Sequence, residues 1–225
     1  MSNSLGVRLV TGAAVGAAAL AGLVAGGVAL IVWLPGLAAS VVGAQPKVFW
    51  YLSRSSAVAA YGLLWLSMVF GLVLTNRLAR LWPGGPTAFD LHQYTSLLGT
   101  GLALFHALIL IGDGYLQYSL GQLLVPFASA PYRPLWVGLG QVAFYGLGLV
   151  SLSFYARQPL GKTTWRVIHA ASFALFGLAL LHGLLAGTDS GAGLMLLMYW
   201  VTGGSVLFLT LYRALFHWGL KTAER

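Results

Sequence analysis

Four of the five histidines, His92, His106, His169 and His182, fall inside long uncharged stretches; His217 follows the last such stretch. Imidazole carries protons, accepts or donates hydrogen bonds, and is the commonest metal ligand. An ionisable side chain within an apolar span is costly to bury and usually has a function. One such histidine reads most simply as a hydrogen-bond partner between helices. Four of them must be weighed by position. His92 lies 9.5 residues before the centre of the stretch 91–112, and His169 lies 8.5 before the centre of 167–188. His106 and His182 each lie 4.5 residues after those centres. If both stretches are helices running the same way, the histidines form two depth-matched pairs, with levels ~20 Å apart at helical rise. Two imidazoles at one depth on neighbouring helices can ligate one haem iron from its two faces. Two such pairs make two stacked haems bridging most of a bilayer. Ligation by two histidines leaves no open iron position, which points to electron transfer rather than oxygen binding at the metal.

The spacings are unequal. Fourteen residues separate His92 from His106, and thirteen separate His169 from His182. On an ideal helix the first interval returns to within ~40° of the same face, while the second ends ~140° away. Either the later helix is distorted or the two sites are approached from different azimuths. An internal echo supports the pairing. Gly101-Leu-Ala-Leu-Phe-His106 matches Gly177-Leu-Ala-Leu-Leu-His182, and an aspartate follows seven residues after each histidine, at Asp113 and Asp189.

The elements that must position these side chains are dictated by composition. Of 225 residues, 59% are hydrophobic and 7% charged, and the mean hydropathy is +0.84. A soluble domain carries about 25% charged residues, so this chain is excluded as a soluble enzyme, a disordered chain or a nucleic-acid-binding module despite its net charge of +8. The absence of cysteine excludes disulfides, thiolate-held iron–sulfur clusters, cysteine nucleophiles and covalent haem attachment through C-x-x-C-H. The sparse charges cut the chain into apolar blocks over 9–34, 55–76, 91–112, 134–156, 167–188 and 190–212, each of 22 to 26 residues. Each is long enough to cross ~30 Å of hydrocarbon as a helix. The expected fold is therefore an all-α integral membrane protein, a single domain over 1–225 with six transmembrane helices in one bundle. The first block is too long for a secretory signal, whose apolar region is roughly 7–15 residues, and reads as an uncleaved helix.

With the N-terminus inside, nine of the twelve Lys and Arg residues fall on the cytoplasmic side and three, Lys47, Arg54 and Arg133, on the outer side. This obeys the positive-inside tendency and places both termini in the cytoplasm of a multi-pass cell-membrane protein. His92 and His169 then form the inner pair, and His106 and His182 the outer. The longest connection, 113–133, is an outer loop whose middle, 115–127, reads either as an interfacial helix or as a plain loop. His217, beside Arg213 and Trp218 without a depth-matched partner, reads as an interfacial residue.

The paired histidines at spacings of 14 and 13 resemble those of the ferric-reductase-like transmembrane family. That family includes the membrane part of NADPH oxidases and the haem-binding membrane subunit of the bacterial methionine sulfoxide reductase system. Gly161-Lys-Thr-Thr-Trp165-Arg166-Val-Ile-His169 resembles the family's basic run before the second ligand helix. His182-Gly-Leu-Leu-Ala-Gly-Thr-Asp189 resembles its bacterial branch after the last ligand, and Tyr51-Leu-Ser-Arg54 through Tyr61 the start of the preceding helix. The resemblance spans residues 49–189 and implies two b-type haems, ligated by His92 with His169 and by His106 with His182. It also implies that Arg54 meets an outer-haem propionate, since Arg matches carboxylates bidentately; an interfacial anchor is the plain reading of the same residue. Arg166, with Arg77 and Arg80, is implied as a partner of inner-haem propionates, although positive-inside signalling explains these residues equally. Phe105, Phe173 and Phe176 read either as packing or as lining between the haems.

Family enzymes continue into flavin- and nicotinamide-binding domains. Here thirteen residues follow Tyr212, with no G-x-G-x-x-G after a strand. The expectation is an oxidoreductase membrane subunit that lacks its own dehydrogenase domain. It would work in membrane lipid with a separate donor, a flavoprotein or a quinol, and with an acceptor outside the cell that is itself a protein or a small oxidant. Two alternatives stand beside it. One is a quinol-oxidising cytochrome b subunit of a respiratory or photosynthetic complex. The other is a non-redox assembly subunit whose histidines only bond between helices.

Overall fold

The computed structural model describes residues 47–128 and 132–223, with side chains to 215, and a few residues between 16 and 32 that are helical. The chain divides into two units, Met1–Val48 and Phe49–Arg225. The expected first span, 9–34, and the chain termini lie largely outside the described residues. Among the described residues there is no strand. The helices are α1 (Val48–Thr75), α2 (Gly85–Leu108), α3 (Leu120–Leu124), α4 (Pro134–Ser153), α5 (Arg157–Leu160), α6 (Lys162–Ala170), α7 (Ser172–Ala186) and α8 (Gly193–Ala223). Five segments are long and apolar enough to cross a membrane: α1, α2 with its 3₁₀ extension to Gly112, α4, α6 continued by α7, and α8 as far as Leu215.

Local chemistry explains the boundaries. Pro86 and Pro134 sit in the first turns of α2 and α4, where a missing N–H costs no hydrogen bond. Gly161 separates α5 from α6 at φ +77, a backbone region that side chains with a Cβ avoid. Ser119 and Gln122 cap α3 reciprocally, so the middle of the 113–133 connection contains one short helix. Charge-bounded blocks misplace the start of α1 because Arg54 lies inside that helix, where Asp189 partners it.

The buried face of α1 carries Ser53, Ser56, Ala60, Tyr61, Leu64, Ser67 and Leu72, recurring at helical spacing. Three of these seven are serines, whereas Leu52 and Val58 on the same helix are exposed. Large exposed apolar residues recur on the other long helices, among them Leu149, Leu152, Trp200 and Phe208. Small and hydroxylated residues at helix contacts with large apolar ones outside is the pattern of helices packed in lipid. Tyr61 binds Thr202 through their hydroxyls at 2.5 Å, Trp65 Nε1 donates to Ser205 at 2.8 Å, and Asn76 donates to the Leu209 carbonyl at 3.2 Å. The numbers rise together, so α1 and α8 run parallel. Tyr61 stacks on Phe176 (5.7 Å between ring centres) and meets Tyr199 edge-on, forming a core with Leu72 and Val206. Helices α4 and α7 lie along one another, in close approach because Gly146 and Gly140 face Leu175 and His182.

Candidate functional site: two histidine pairs

The structure brings the four intramembrane histidines together as two pairs. The rings of His92 and His169 lie 5.9 Å apart, centre to centre, and those of His106 and His182 lie 6.3 Å apart. Within each pair the rings are steeply inclined, at 75° and 67°. Among the described residues, no hydrogen bond joins the two rings of either pair. A metal held between two imidazole nitrogens at ~2.0–2.1 Å from each sets the ring centres ~6 Å apart. Both separations leave room for an intervening ion, and both also lie in the 4.5–7 Å range of edge-to-face ring contact.

A break in the second ligand helix makes up part of the unequal spacing. At Ala171, between α6 and α7, the backbone N–H turns back to the Ile168 carbonyl at 3.1 Å. Such a tightened turn winds ~120° per residue rather than ~100°. The extra rotation offsets part of the shortfall left by thirteen residues and carries His182 back towards the face of His169.

Three of the four rings are oriented by backbone carbonyls. His106 Nδ1 lies 2.8 Å from the Ser53 carbonyl, His92 Nδ1 lies 2.8 Å from that of Ser67, and His182 Nδ1 lies 2.8 Å from that of Trp136. A carbonyl only accepts, so Nδ1 donates and Nε2 keeps its lone pair. This is the arrangement in which histidines ligate metals, the other ring nitrogen donating to a fixed acceptor. The two serines add a reciprocal bond: Ser53 Oγ donates to the His106 carbonyl at 3.1 Å and Ser67 Oγ to that of His92 at 3.3 Å. Their hydroxyl oxygens also lie 2.9 and 3.1 Å from the respective Nδ1 atoms. The same clasp thus occurs twice between antiparallel α1 and α2. Sequence reasoning missed these serines. Their spacing of fourteen on α1, equal to that of the histidines they hold on α2, is the signal that would have found them.

His169 differs from the others. Its ring makes no hydrogen bond among the described residues and instead stacks on Trp165, one turn earlier, at 5.0 Å and 24°. The Trp165 indole Nε1 is buried without a hydrogen-bond partner, at a typical cost of about 1–3 kcal/mol.

Beside the outer pair lies a cavity of ≈ 260 Å³, lined by His106, His182, Ser53, Arg54, Asp189 and many small residues, including Ala57, Ala60, Ala103, Gly140 and Ala179. Arg54 donates through Nε to Asp189 Oδ2 at 2.7 Å and through Nη2 to the same oxygen. The two aspartates of the internal echo have different tasks: Asp113 is buried and accepts from the backbone of Tyr115 and Leu116, whereas Asp189 holds Arg54. Arg166 is exposed one turn before His169. Phe176 is buried against Tyr61, while Phe105 and Phe173 are exposed. The backbone of His217 belongs to α8, and its side chain lies outside the described residues.

The donor set suits haem. Free Nε2 atoms on both rings of the outer pair and on His92 of the inner one, ring separations that admit an iron, a lining of small apolar residues at the outer pair and an orphaned donor at the inner one fit a flat, largely apolar macrocycle with two carboxylates. The chain matches no protein-family model, no curated protein and no solved structure.

Proposed function

We propose that the chain conducts electrons across a membrane through two b-type haems, the inner held by His92 and His169 and the outer by His106 and His182. The observation that carries this reading is the repeated pair geometry, two imidazole pairs at metal-spanning separation on helices long and apolar enough to cross a membrane. Bound haem supplies one-electron redox chemistry at each level. The chain's residues hold and orient: carbonyls of Ser53, Ser67 and Trp136 set three rings, and the apolar lining excludes water. In this reading residues 9–34 form a sixth span, both termini are cytoplasmic, and the protein resides in the cell membrane as a ferric-reductase-like subunit over 49–189. Arg54, with Asp189, closes the outer site, and Arg166 flanks the inner one. Electrons come from a separate flavoprotein or quinol and leave to an acceptor outside.

The purified protein should contain two haems per chain and show b-type bands in its reduced-minus-oxidised spectrum. A colourless protein that takes up no haem would sink this reading. The serine clasps give a finer test. Ser53→Ala and Ser67→Ala each remove a hydroxyl but leave the backbone carbonyl on Nδ1, so both haems should stay bound, with ~1 kcal/mol less stability. Redox titration should show the outer midpoint moving in Ser53→Ala and the inner in Ser67→Ala; movement of the wrong one would contradict the pairing.

A further inference from the structure

Among the described residues, one buried side-chain polar atom has no hydrogen-bond partner: Nε1 of Trp165. Its position is informative. Trp165 stacks on His169 and meets Phe154 on another side, at 6.5 Å between ring centres. The other three histidines of the two pairs are each oriented through Nδ1 by a carbonyl; at His169 the face of the indole takes that place. An indole N–H can only donate, so the site lacks an acceptor, which neither an iron atom nor an apolar ring edge provides. A haem carboxylate is an acceptor that arrives with the macrocycle, and the exposed Arg166 on the same turn adds a cation to complement it.

We infer that Trp165 is a positioning residue of the inner site, holding the His169 ring by its face and donating its indole N–H to a carboxylate of the haem bound there. This rests on the two-haem reading above. A donor on that carboxylate offsets negative charge near the iron and so favours the reduced form; its loss favours the oxidised form.

Redox titration of the full-length, haem-loaded protein tests the assignment, with the inner haem identified as the one lost in His92→Ala. Trp165→Phe keeps a ring to stack and removes the N–H. It should retain both haems, shift the inner redox equilibrium about threefold towards the oxidised form, a fall of ~28 mV, and leave the outer midpoint unmoved. An inner midpoint equal to the wild type's overturns the proposal, as it would if a lipid phosphate or a water were the acceptor. Should Trp165→Phe fail to fold, the wild type decides. Labelling its tryptophans with ¹⁵N at the indole should shift a band of the reduced-minus-oxidised infrared spectrum, and no shift overturns the proposal. A wild type with two haems and an unmoved inner midpoint in the variant sinks the role of Trp165 alone. A wild type without b-type bands sinks the two-haem reading with it.

Discussion

His106→Ala should hold one haem per chain where the wild type holds two, and the haem lost should be the outer one. His182→Ala should give the same result, and His92→Ala or His169→Ala should remove only the inner. The selectivity follows from the pairing: each ring faces a partner from another helix about 6 Å away, and the two levels are ~20 Å apart along the helices. Removing one imidazole leaves its partner where it was, since a carbonyl fixes His182 and His92 independently, whereas His169 rests on Trp165. Haem content by extraction, together with the reduced-minus-oxidised spectrum, is the measurement. His217→Ala belongs to neither level and should keep both haems. An unchanged spectrum in His106→Ala would place the haem, if any, elsewhere.

Gly140→Ala should cost the outer site at least ~10-fold in haem affinity, although residue 140 bears no chemistry. A Cβ built at Gly140 overlaps the His182 ring, reaching 2.6 Å from its Cγ and 2.8 Å from its Cε1. The ring cannot swing aside freely, because its Nδ1 is bound to the Trp136 carbonyl on the same helix as Gly140. Overpacking of this kind typically costs 1–3 kcal/mol, and ~1.4 kcal/mol is tenfold in binding. Gly71→Ala is the matched contrast at the inner site. Its Cβ would lie 3.2 Å from His92 Cε1, a crowding that a shift of a few tenths of an ångström relieves, so inner-haem affinity should change by less than ~3-fold. Titration of haem into apoprotein reads both. Equal outer affinity in Gly140→Ala and wild type would mean that the His182 ring is not where the structure puts it.

The pairing of the histidines was legible in the sequence because helical rise is nearly invariant, so residue counts from the middle of two charge-bounded blocks match positions along neighbouring helices. Azimuth was less legible. It accumulates at about 100° per residue, so one tightened turn at Ala171 moves everything after it, and Ala170-Ala171 carries no breaker such as Pro or Gly to announce it. The serine clasps stayed hidden for another reason. Hydroxyls in apolar helices commonly bond to the carbonyl one turn back, as Thr95, Thr100 and Thr202 do here, so a serine in a span carries little information by itself. Arg54 and Asp189 are 135 residues apart, and nothing local tied one to the other. The Asp echo drew notice to Asp113 and Asp189 as equivalents, which they are not.

The clasp between α1 and α2 has an electrical corollary. His106 and His92 receive the same hydroxyl, the same carbonyl and nearly the same distances from a single neighbouring helix. Two matching brackets on one helix add no difference between the levels by themselves. With two haems bound as proposed, a difference in potential between the levels would come from what they do not share: Arg54 with Asp189 beside the outer pair, and on the opposite side a Trp136 carbonyl at one level and a stacked Trp165 at the other.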